Sequence, residues 1–181
     1  GCTPVESQQT TEAVQTDLTR ELYDARTPYI GGASDVGKIL GLLPLPNGLT
    51  YHEEGMELFT DEGSPFGAKQ HLMFTEATTE AEKQALLFNT DQLERNAYLF
   101  LALVDNADFL EYKIHDTPTT ESVTIHFDRQ MAEKYYGDID LRSFISDFDT
   151  FAAFVEELNI LFDCPFTETT VFEGNPHSCR R

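Results

Sequence analysis

Positive charge is scarce in this 181-residue sequence: 12 Lys and Arg stand against 32 Asp and Glu, for a net charge of −20. A surface that acidic repels phosphate backbones and anionic headgroups, which argues against nucleic acid and nucleotides as ligands. Long apolar runs are missing too. The longest, Ala97 to Val104, falls far short of the ~20 residues that a bilayer-spanning helix requires. Cysteine is rare, with three in the chain, and Cys164 and Cys179 do not have zinc-ligand spacing even with His177 nearby. That pair either closes a loop of about fifteen residues, worth about 3 kcal/mol in the chain-entropy model, or stays as two thiols. Both readings are open at this point.

Catalytic and metal signatures are equally sparse. No G-x-S-x-G occurs. His52-Glu53-Glu54 has no second histidine at the spacing of a zinc-peptidase helix. Asp138, Asp140, Asp147 and Asp149 are acidic enough for calcium but have neither the central glycine nor the final glutamate of a calcium loop. Gly32, Gly37 and Lys38 mimic the opening of a phosphate loop, yet Ile39 stands where a magnesium-ligating hydroxyl is required. No metal, nucleotide or cofactor is therefore expected.

What is present suits one domain: 40% of residues are apolar, including 14 Phe and 7 Tyr. The chain opens GCTPVESQQTTEAVQT, a cysteine followed by a polar stretch. That resembles the mature start of a bacterial lipoprotein, in which the Cys2 thiol carries the lipid. Residues 1–22 are read as a flexible leash reaching about 25 Å, residues 23–163 as the domain, and 164–181 as a C-terminal loop or tail, stapled if the two late cysteines pair.

Within the domain, Val36, Ile39, Leu40 and Leu43 form a helical stripe, with Ser34 or Asp35 as the expected cap. Residues 47–60 and 65–75 read as two strands. The apolar phase shifts between Leu49/Tyr51 and Met56/Leu58, which predicts a bulge at Gly55. Thr79 and Glu82 have capping-box spacing before a short helix. Leu93 to Val104 predicts a buried helix starting after Thr90, with Asp105 and Asn106 as its expected caps. Residues 109–115 and 122–128 pair as a hairpin that turns Leu110, Tyr112 and Ile114 inward; His115 and His126 fall on its outer face, opposite Ser122 and Glu111. A final helix starts near Asp147. The mixture without a βαβ rhythm predicts an α+β fold, with an antiparallel sheet and helices packed mainly on one face.

Three blocks, TPYIGGASDVGKILGLLPLP, SPFGAKQHLMF and NAYLFLALVDNADFLEY, carry a resemblance. Pro28, Tyr29, Gly31, Ser34, Val36 and Gly37 match in the first block. Pro65 and Gly67 match in the second, with Phe66 in place of a tyrosine. Asn96, Ala97, Phe100, Ala102, Leu103, Asp105 and Asn106 match in the third. Together they resemble a family of exported bacterial domains of unknown function, numbered 4825. Some members are appended to membrane proteins of the beta-lactam-sensing metallopeptidase type.

The resemblance implies an extracytoplasmic sensory or partner-binding module of a Gram-positive cell envelope, recognising an envelope protein or peptide. It carries no catalytic residues to this chain. The binding residues it suggests surround the first turn: Tyr29, Gly31, Gly32 and Ser34. The rival expectation is a cell-wall hydrolase working through carboxylates, and no pair among the 32 acids stands out for that role.

Overall fold

A computed structural model of the chain describes residues 16–61, 63–118 and 120–166. The 109–128 region shows how directly alternation becomes structure. β3 (Phe109–His115) and β4 (Ser122–Asp128) pair antiparallel, Leu110 against Phe127, Tyr112 against Ile125 and Ile114 against Val123. Because side chains alternate across a strand, this register buries Leu110, Tyr112 and Ile114 together. The predicted pairing holds residue by residue.

β1 (Leu49–Phe59) and β2 (Gly67–Phe74) form the other predicted pair, also antiparallel. The sheet order is β1-β2-β3-β4. The expectation of a wholly antiparallel sheet is corrected here, because β2 and β3 run parallel, Gly67 beside Phe109 and Met73 beside His115. The reason is the connection. α3 (Glu80–Phe88) and α4 (Asp91–Leu103) lie between the two strands and return the chain to the end where β2 began. The fold is α+β around a mixed sheet.

The helices follow local chemistry. Thr79 and Glu82 close the predicted capping box on α3. α4 is buried nearly all round, with Leu99, Phe100, Leu101 and Leu103 fully inaccessible. α2 (Ala33–Leu42) buries Val36, Ile39 and Leu40, but Gly32 stands at its N-cap and no side chain caps it; Ser34 and Asp35 lie inside the first turn. Lys38 is thus a mid-helix residue, and the phosphate-loop likeness has no loop behind it.

Residues 16–24 form a helix, α1, that begins inside the segment read as a leash and runs into the domain, and Leu22 is fully buried. After β4 come two elements without a sequence forecast, α5 (Arg129–Tyr135) and a 3-10 turn over Leu141–Ile145. α6 (Phe148–Leu161) closes the described chain. Asp147 caps it as expected, accepting the Thr150 N–H.

Arg129 is a buried clamp. Its Nε donates to the Ala107 carbonyl at 2.8 Å, and its Nη2 donates to those of Leu101 at 2.5 Å and Val104 at 2.9 Å. A cation there meets the carbonyls left open at the C-terminus of α4. Asp105 and Asn106 do not cap that helix, whose C-cap is Val104. Asn106 Oδ1 instead accepts the Ile30 N–H at 2.7 Å, and Asp105 N–H donates to Thr27.

The sheet separates two environments. Ala68, Leu72, Phe74, Leu110, Tyr112 and Ile114 enter the core from one face. By alternation the opposite face carries Lys69, His71, Met73, Glu111, Lys113 and His115.

Candidate functional site: imidazoles and carboxylates on the polar face of the sheet

The β1 bulge builds the site. Tyr51 pairs with Leu72 and Met56 with Gln70, so residues 52–55 of β1 oppose His71 alone on β2. Gly55 sits at φ 69°, a left-handed conformation that suits glycine. The extra chain curls His52 and Glu54 over His71. Such bulges re-aim side chains that a regular strand would send elsewhere. β3 supplies His115 from the next strand.

Three ligand-type atoms meet. His71 Nδ1 lies 2.8 Å from His115 Nε2 and 3.0 Å from Glu54 Oε2, and His115 Nε2 lies 3.4 Å from the same carboxylate oxygen. The His52 ring stacks on His115 at 3.8 Å between centroids, 9° from parallel. One ligand atom each from His52, Glu54, His71 and His115 falls within 4.8 Å of the others. His71 is only 4% exposed although it is on the polar face, because its neighbours cover it.

The protonation pattern follows from the partners. His71 Nε2 lies 2.6 Å from Glu57 Oε2. A carboxylate can only accept, so that ring nitrogen carries a proton. The His71 hydrogen bond holds Glu57 below the usual carboxylate range, hence ionised. Partial burial, with His52 beside it, pushes His115 below the ordinary histidine range, so its ring is neutral near neutral pH. Glu54 N–H donates to His52 Nδ1 at 3.1 Å, tying the bulge to itself. Imidazoles beside an exposed carboxylate form a donor set for a cation. Among the described residues every carboxyl moved from its ordinary range is moved downward.

Sequence reasoning placed His115 on the outer face and the bulge at Gly55, and both are found. It did not join them to His52 and His71. Metal motifs are recognised by spacing along one element, whereas these ligands come from three strands. The usable signal was the bulge itself, in a strand carrying His52, Glu54 and Glu57 opposite His71.

The Tyr29–Ser34 turn contributes nothing to this cluster. Tyr29 is 59% exposed. Its ring covers Gly31 so closely that a Cβ there would lie 2.5 Å from a ring carbon, which explains the glycine structurally. Gly32 ends the turn as the helix cap, and Ser34 is an exposed first-turn residue. A shallow depression beside the turn is lined by Arg26, Thr27, Pro28 and Asp105. Asp140 and Asp147 are spent as caps, on Arg142 N–H and Thr150 N–H. Cys164 is half-buried, with its thiol pushed above its usual range by that burial. Cys2 and Cys179 lie outside the described residues, and so do the lipid-attachment and disulfide expectations.

A family model described as a domain of unknown function, DUF4825, matches residues 22–128. No curated protein and no solved structure matches the chain.

Proposed function

The chain belongs to the DUF4825 family, and from that premise we propose that it is a non-catalytic binding module of the cell envelope. Lipid on Cys2 holds it at the outer face of the membrane, and the polar face of its sheet takes a ligand or an envelope protein or peptide partner. In this reading the helices pack mainly against the opposite face and leave the polar one open. The observation that carries it is His71. A side chain 4% exposed on the polar face, away from the core, surrounded by His52, Glu54, Glu57 and His115, is costly to assemble for packing alone.

The support for the anchor is the opening sequence, a cysteine ahead of a polar run. The rival reading, a hydrolase acting through carboxylates, needs a carboxyl held protonated to act as an acid. The downward shifts of Glu57 and Asp140 run against it.

The test is in-cell crosslinking of the tethered full-length chain, with a photoreactive residue at Thr124 on the polar face and a second at exposed Glu156 on α6. We expect an envelope protein captured from Thr124 and not from Glu156, and loss of the membrane fraction in Cys2→Ser. Recovery of the protein alone from both positions, or membrane retention of Cys2→Ser, would defeat the reading.

A further inference from the structure

We propose that the cluster is a site for a divalent first-row transition metal of the zinc class, held by His71 Nδ1, His115 Nε2 and Glu54 Oε2, with His52 next to the fourth position. This rests on the polar face being the ligand face and names what that face takes. Four observations carry the assignment.

The first is shape. A four-coordinate ion with bonds of about 2.0–2.1 Å spaces its ligand atoms about 3.3 Å apart. The three atoms form a triangle with sides of 2.8, 3.0 and 3.4 Å. The short side is a hydrogen bond between two imidazoles, and replacing its proton with a cation opens it by a few tenths of an ångström. Exposed Glu54, on the bulge, can absorb that movement.

The second is support. Metal-bound histidines characteristically donate their remaining N–H to a carboxylate, which fixes tautomer and ring orientation. His71 does this to Glu57 at 2.6 Å. Its other nitrogen, Nδ1, faces His115 Nε2 and Glu54 Oε2 together, the convergence a metal ion requires.

The third is chemistry. Imidazole with carboxylate suits zinc, copper, nickel or cobalt, while calcium and magnesium prefer oxygen alone. No cysteine sulfur takes part, which removes the preference for softer, thiolate-seeking ions.

The fourth is charge. Two carboxylates, Glu54 and Glu57, contact the histidine cluster in a chain of net charge −20. On that face Lys69 is engaged by Glu111 at 3.8 Å, and Lys113, opposite His71, is the other strand cation. The surroundings favour a dication.

The experiment uses the full chain stripped with a chelator, then zinc titrated against a chromophoric competitor in excess magnesium and calcium, which occupy the acidic surface. The expected result is one zinc per chain, a rise in melting temperature on adding zinc, and with cobalt the intense visible absorption of a four-coordinate site. His115→Ala and Glu54→Ala should each abolish the tight site. Glu57→Gln should weaken it about 10- to 100-fold, with recovery in Glu57→Asp. His126→Gln, on the same face but paired to Glu111, should bind as the parent does.

Because His71→Ala removes a buried side chain and could unfold the strand, the exposed Glu54 variant and the parent's metal-dependent melting decide the matter. Zinc binding that is weak, multiple, or unchanged in the Glu54→Ala/His115→Ala pair would overturn the proposal, leaving a hydrogen-bonded imidazole network. Photocrosslinking from Thr124 then still judges the binding face separately. A tight zinc site without any captured partner would keep the metal and remove the partner.

Discussion

Replacing Arg129 with Leu tests whether α4 is held by the clamp on its C-terminus. The side chain is 6% exposed. It donates to the carbonyls of Ala107, Leu101 and Val104 at 2.8, 2.5 and 2.9 Å. Hydrogen bonds from a charged donor contribute about 1.5–3 kcal/mol each, so the gross loss is about 5–9 kcal/mol. Against that stands the cost of the buried charge. No carboxylate oxygen lies within ion-pair distance among the described residues, and Nη1 has no partner. Removing such a charge returns several kcal/mol.

The net expectation is a loss of about 3 kcal/mol, since leucine leaves the Leu101 and Ala107 carbonyls without the donor that Arg129 supplies. For a domain of this size that is a fall of about 6–12 °C in Tm. Thermal unfolding followed by circular dichroism, with urea midpoints alongside, reads it directly. Arg129→Lys, which restores one donor group, should fall between the two. A Leu variant melting within about 2 °C of the parent would refute the clamp and mean that water or a neighbour satisfies those carbonyls.

Two further substitutions probe separate joints. Gly67→Ala puts a Cβ 2.5 Å from the Phe109 ring and should cost about 1–3 kcal/mol as the ring is displaced; an unchanged urea midpoint would show the ring to be free to swing. Asp147→Ala removes the α6 cap, and the Thr150 N–H holds that carboxyl below its ordinary value of 3.8. A lowered folded-state pKa stabilises above the unfolded value and is lost on acidification. The stability gap between parent and variant should therefore be full at neutral pH and close as the pH falls below about 4; a gap independent of pH would place the effect elsewhere.

Much of the fold was legible because it is local. Alternation set the β3–β4 register, a phase shift marked the bulge, and Thr79 with Glu82 and Asp147 marked two helix starts. What escaped depends on distant partners. The parallel β2–β3 pairing comes from the route taken through α3 and α4, which no window of sequence contains. Gly32 replaced Ser34 as a cap because the turn is held by Asn106, far away in the chain. The cluster escaped for the same reason. His52, His71 and His115 are ordinary surface histidines until sheet order and one bulge bring them together.

That dependence gives the signature residues their role. Phe66 N–H donates to Asp108 Oδ2 and Asp108 N–H donates to the Phe66 carbonyl, both at 2.7 Å. Gly67 then lets the Phe109 ring lie flat against the backbone, and Asn96 Nδ2 fixes Pro44 at 2.8 Å from within α4. The Phe66–Asp108 and Gly67–Phe109 contacts start β2 and β3 in register at one end of the pair. At the other end, the same register sets Lys113 beside His71 and His115 beside Met73. A slip of one residue would send either histidine into the core, because strand side chains alternate. The blocks that identify the family are therefore the joint, and the chemistry sits at the far end of the strands that the joint aligns.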